Sequence, residues 1–259
     1  MQRHLVAFRV ILYRNIIELK RYAFNTLSMI VSMYAMFMIL FFGAQHLGGA
    51  ALAAGNTLEG MLVGYLLWTL SIMAYSELSW DLNAQAQVGT LEQLYISPFG
   101  FSLLNAYSLL CNLVLQFGYA AIMLGLLLVS TGKELHIDLV SIVPIFALAL
   151  MSAYGVGFAV GGLALVYKRI QAFFSIFQFV FLAFLTVPWA QFPWARFLPL
   201  SMANFLLREV MIHGKRLWEL ESVHLVTLVG VGVFYLGLGV LLFGVSERIA
   251  RSKGLLGHY

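Results

Sequence analysis

The sequence predicts an all-α membrane protein: six transmembrane helices, an N-terminal amphipathic interfacial helix, and an external re-entrant helical hairpin between spans five and six. Three observations carry this. Mean hydropathy is +0.91 and only 10% of residues are charged, whereas soluble domains carry about a quarter. Six apolar stretches, near 24–43, 58–76, 105–130, 139–166, 170–188 and 223–244, approach or exceed the ~20 helical residues that cross about 30 Å of hydrocarbon. Apart from Glu59, the charged residues lie outside these stretches. The 259 residues therefore read as one transmembrane domain, 1–259, with an amphipathic helix at 1–22, a polar segment at 77–98 and a Pro/Trp-rich segment at 189–222.

An even number of spans places both termini on one side. Arg3, Arg9, Arg14, Lys20, Arg21, Lys168, Arg169, Arg248, Arg251 and Lys253 fall on that side, and Lys133, Arg196, Arg208, Lys215 and Arg216 on the other. The cationic majority marks the cytoplasmic side, so both termini and the 77–98 segment are expected there, in a cell (inner) membrane. The net charge of +4 is explained by this asymmetry and points to no nucleic acid. Ala51-Leu52-Ala53 imitates a signal-peptidase site, but the charged region before it is too long and the apolar run is of spanning length. The lone Cys111 cannot form an intrachain disulfide.

Along the chain, Leu5, Phe8, Leu12, Ile16 and Leu19 form one apolar stripe, with Arg14, Glu18 and Arg21 opposite. Such a helix lies in the membrane interface, as an anchor or also as a contact for a cytoplasmic partner. Spans one and two are joined by a nearly uncharged Gly/Ala loop at 44–57. Span two leads into the polar segment, where Glu77, Asp81 and Gln85 share a helical face. In span three, Asn105, Ser108, Asn112, Gln116 and Tyr119 recur at helical spacing; they either hydrogen-bond between helices or line a pathway. Only Tyr167-Lys168-Arg169 separates spans four and five. Phe173, Phe177, Phe181 and Phe184 form an aromatic stripe in span five, fit for packing, for lipid or for a pathway wall. After it, Pro188, Trp189, Pro193, Trp194 and Pro199 precede a helical stretch from Ser201 to His213. Proline stops helices and tryptophan favours interfaces, so the segment reads as a re-entrant hairpin or as a plain interfacial loop. Gly157-x-x-x-Gly161 in span four and Gly230, Gly237 and Gly244 in span six mark expected helix-packing faces.

Catalytic signatures are missing. The sequence has no G-x-x-x-x-G-K-[ST] phosphate loop, no H-E-x-x-H and no Cys/His cluster. No histidine sits mid-span opposite a serine, as an intramembrane protease would need. Span interiors hold essentially no ionisable residue, which disfavours ion-coupled transport. Any energy used by the chain enters from elsewhere, and no cofactor is expected in it.

The polar segment offers the entry point. Gly89 punctuates the extension of span two, and Thr90-Leu91-Glu92-Gln93-Leu94-Tyr95 restarts a short helix capped by Gly89 or Thr90, with Glu92 near its positive end. Leu91, Leu94 and Tyr95 give it an apolar edge suited to a groove in a soluble partner. The run Gly89-Thr90-Leu91-Glu92-Gln93-Leu94-x-x-Ser97-Pro98 closely resembles the cytoplasmic motif of ABC type 2 exporter permeases. The amphipathic first helix and Leu198-Pro199-Leu200-Ser201 are similar to that family too. Where many members carry a charged pair before this motif, the chain has Ala86-Gln87-Val88. The resemblance implies a coupling helix docked on a separate ATP-binding subunit, present in two copies, which would hold the ATP and Mg. It also implies a second permease, identical or homologous, and outward movement of substrate. An apolar, aromatic-lined pathway suits amphipathic or lipid-like cargo. A membrane scaffold docking a soluble partner through the same helix is the alternative that the residues leave open.

Overall fold

The computed structural model describes residues 2–47, 58–88, 101–167, 171–187 and 191–252. Eight α-helices are described: α1 (Gln2–Arg21), α2 (Ala23–Leu47), α3 (Leu58–Val88), α4 (Phe101–Thr131), α5 (Leu139–Tyr167), α6 (Gln171–Thr186), α7 (Ser201–Met211) and α8 (Ser222–Ser252). Two short 3-10 turns, Pro193–Phe197 and Leu217–Glu219, flank α7. Among the described residues there is no strand.

Five helices are long and apolar enough to cross a membrane, over Ala23–His46, Leu58–Ser76, Leu110–Thr131, Leu139–Ala164 and Ser222–Ala250. They make the chain a multi-pass membrane protein, and they fall where the first four and the last of the expected spans were placed. The expected fifth span is α6, apolar but only 16 residues long, or about 24 Å at 1.5 Å per residue. As described, α6 falls short of the ~30 Å hydrocarbon core.

The chain forms two compact units, Met1–Leu62 with Gln93–Lys133, and Val63–Glu92 with Glu134–Tyr259. In the first, α1 packs on α4. Phe8, Ile11, Leu12, Asn15 and Leu19 turn inward, whereas Ile16, expected in the apolar stripe, is exposed. From Phe8 onward the inward face is thus the expected stripe with Ile16 exchanged for Ile11 and Asn15. Within the same unit, Lys133 at the end of α4 pairs with Glu59 in the first turn of α3 at 2.6 Å.

In the second unit α5 and α8 run parallel and touch through backbone. Contacts repeat every seven residues on both helices, pairing Leu148 with Gly232, Gly155 with Gly239 and Gly162 with Ser246. A Cβ on Gly155 would lie 2.2 Å from the Tyr235 carbonyl oxygen, and one on Gly239 1.9 Å from that of Gly155. Gly157 faces α3 instead, where a Cβ would lie 2.6 Å from the Tyr75 carbonyl oxygen. Gly230, Gly237 and Gly244, expected to form the packing face of α8, have open space around their Cα atoms. The period was right, but the face was not: residues 232, 239 and 246 are displaced by two positions, about 200° around the helix.

Candidate functional site

Helix α3 is the element on which the functional reading turns. Its spanning part is packed tightly: Leu62, Val63, Leu66, Leu67, Leu70, Ser71, Ala74 and Tyr75 are all buried. Inside the second unit, Trp68 Nε1 donates to the Gln178 carbonyl of α6 at 2.9 Å. Tyr75 meets Phe181 edge-on at 5.3 Å between centroids and Phe177 at 6.2 Å. The helix does not stop at the end of its apolar stretch. Its backbone continues unbroken through Glu77, Asp81 and Gln85 to Val88, which adds about 18 Å of helix. This is the extension expected from the sequence. Gly89, Thr90, Leu91, Glu92, Gln93, Leu94 and Tyr95 lie outside the described residues.

The polar residues of α4 are distributed over several roles. Asn112 Oδ1 accepts from Asn15 Nδ2 of α1 at 2.7 Å, which makes it an interhelical tie. Ser108 and Tyr119 are half-buried, and Gln116 is fully buried, with neither amide atom hydrogen-bonded among the described residues. Asn105 belongs to the first, N-terminal part of α4. The tie is reinforced by Phe8, whose ring stands edge-on to Tyr107 at 6.4 Å and whose carbonyl accepts from the Cys111 thiol at 3.9 Å. Asn15 was not singled out in the sequence; its place between Leu12 and Leu19 on the inward face was the available signal. For such an amide pair we expect a double-mutant cycle of Asn15→Ala and Asn112→Ala to give a coupling of roughly 0.6–1.7 kcal/mol. Chemical denaturation of the purified protein in mixed micelles measures it.

Of the phenylalanine stripe in α6, Phe181 is fully buried and Phe177 and Phe184 half-buried, with Phe181 and Phe184 6.4 Å apart. Phe177 and Phe181 face Tyr75, a residue that sequence reasoning had not singled out. Phe173 lies in the first turn of the same helix.

The 193–219 segment is built around α7, an 11-residue helix of which eight residues are buried. Leu200, just before it, holds a left-handed backbone with φ of 68°, a conformation that costs a non-glycine residue about 1–2 kcal/mol. Its side chain is fully buried, and that packing holds the strained turn in place. Asn204 donates to the Leu185 carbonyl in the last turn of α6 at 3.2 Å. The His136 amide donates to the Met211 carbonyl at 2.8 Å, and the Leu217 amide to Ser141 Oγ at 2.8 Å. Ser141 in turn donates to Asp138, which caps α5. Glu209 binds both His213 and Lys215, and its hydrogen bond and charge hold the Lys215 ammonium above the ordinary lysine range. The segment is therefore an ordered cap on the N-terminal end of α5. Among the described residues, no group of three His, Cys, Asp or Glu side chains is placed to hold a metal ion.

Comparison with protein-family models, with curated proteins and with solved structures finds no match. The functional reading therefore rests on the residues themselves.

Proposed function

We propose that the chain is the membrane permease subunit of an ATP-driven exporter of the ABC type 2 kind, with ATP and Mg held by a separate subunit. One observation carries the reading above the others. Helix α3 leaves its packed spanning segment as a single uninterrupted rod and leads directly to Gly89-Thr90-Leu91-Glu92-Gln93-Leu94. A docking helix at the end of a rod, rather than of a loose loop, can transmit force.

In this reading α6 belongs to the fifth crossing, and the 193–219 cap is the external re-entrant element. Six crossings and the cationic asymmetry put both termini and the docking helix in the cytoplasm of a cell whose plasma (inner) membrane holds the protein. Two permeases, identical or homologous, and two ATP-binding subunits form the working complex. Closure of the ATPases on nucleotide pushes Leu91–Tyr95, α3 tilts, and the pathway changes from inward to outward access because nucleotide binds the two states with different affinity. The pathway in this reading carries an amphipathic or lipid-like substrate.

The test is purification of the tagged chain with its bound subunits, before and after Leu91→Ala/Leu94→Ala. The expected result is an ATP-hydrolysing partner that is lost or uncoupled in the double variant. A stably bound partner without ATPase activity would favour the membrane scaffold. Retention of both binding and coupling in the variant would remove the coupling-helix assignment.

A further inference from the structure

Two amides lie one turn apart on the inward face of α4, and only one of them is bonded. Asn112 is tied to Asn15 of α1. Gln116 is 2% exposed, yet neither its Oε1 nor its Nε2 has a hydrogen-bond partner among the described residues. Both belong to the first unit, in which α1 and α2 are the helices packed on α4.

The crossing of α1 over α4 has a direction. Phe8 lies beside Tyr107 and Cys111, and Asn15, two turns on, lies beside Asn112. The crossing thus carries Leu19, the next inward residue, toward the following turn of α4, which holds Gln116. The two amides then act in opposite senses. The Asn15–Asn112 bond favours a docked α1. Gln116 disfavours it, because a buried amide without a partner has lost its hydration for nothing, enough to shift an equilibrium by about 5- to 150-fold. Farther along, α4 buries Met123 and Leu127 and α2 buries Phe37 and Phe41, side chains that carry no such opposition.

We propose that α1 is a strap poised to open. It is tied to α4 through Asn15–Asn112, loosened by Gln116, and turns about Tyr22, the residue between α1 and α2. When it lifts, the Gln116 amide bonds to water or to a lipid headgroup and the cost of its burial disappears. Part of the docking free energy is thereby cancelled, so the chain samples both docked and lifted forms by local opening. The assignment concerns the α1–α4 contact alone and holds whether or not an ATPase docks at Leu91–Tyr95.

Cys111 is a native reporter of this motion. It is the only cysteine of the chain, it is fully buried, and its thiol donates to the Phe8 carbonyl of α1. The full chain in lipid discs is labelled with N-ethylmaleimide, and the denaturation midpoint of each variant is measured alongside. Gln116→Leu and Gln116→Met remove the amide and keep its bulk. Slowing of the Cys111 reaction by about fivefold or more in at least one of them, with the midpoint retained, is the expected result. Asn15→Ala, which cuts the tie, is expected to speed it by about threefold or more. Labelling as fast as in the parent or faster in both Gln116 variants overturns the proposal. So does an Asn15→Ala rate equal to the parent's, or a parent whose folded form is never labelled.

Discussion

Gly155→Ala and Gly239→Ala are each expected to destabilise the protein by about 1–3 kcal/mol, as overpacking of a tight interface does. The leucine variants are expected not to accumulate in folded form. The cause is backbone-to-backbone contact: the added Cβ would sit 2.2 Å or 1.9 Å from a carbonyl oxygen that belongs to a helix and cannot swing away. The helices must separate, and in lipid, where association rests on close packing rather than on water release, separation forfeits the contacts that hold the pair together. Gly230→Ala and Gly237→Ala, with open space around both positions, serve as controls and should stay within about 0.5 kcal/mol of the parent. Denaturation midpoints of the four alanine variants in one detergent decide the matter. Equal effects at 237 and 239 would contradict the pairing of α5 with α8.

The second large effect concerns α3. A proline at position 83, in Asn83→Pro, removes one backbone hydrogen bond and clashes with the preceding turn, at about 3 kcal/mol for a helix interior. The site lies beyond the spanning part of the helix, so the spans should still insert. If the extension transmits force, the partner still binds and hydrolyses ATP, but the membrane part stops responding. A maleimide reaction at Ser108→Cys, in Cys111→Ala, reads this directly. Its rate should change by on the order of tenfold between nucleotide-free and nucleotide-trapped states of the parent, within the usual range of coupling between sites, and by little in Asn83→Pro. An unchanged response would show that α3 is not the lever.

Much of this architecture was legible because a bilayer leaves few choices. Backbone polar groups must be satisfied within a helix, so apolar length alone located five spans. The fifth expected span is described as an apolar helix of 16 residues. The glycines show a different limit. A seven-residue repeat is visible in sequence, but Gly230/Gly237/Gly244 and Gly232/Gly239 share that period, and only the facing helix selects between them. Asn15 illustrates the same point on α1: its role shows only once Asn112 is seen opposite it. The continuous run of α3 past Ser76 was expected from the spacing of Glu77, Asp81 and Gln85. The docking residues themselves were read from the Gly89–Leu94 motif alone.

Whether energy enters through the Gly89–Leu94 segment, as proposed, can be asked at one residue. A photoactivated cross-linker on Leu91→Cys, in Cys111→Ala, applied to native membranes from cells expressing the chain, captures whatever lies against position 91. The expected result is an adduct with an ATP-binding polypeptide, in a yield that changes when ATP is added and trapped. An adduct formed only with lipid, or with a protein that binds no nucleotide, would contradict it.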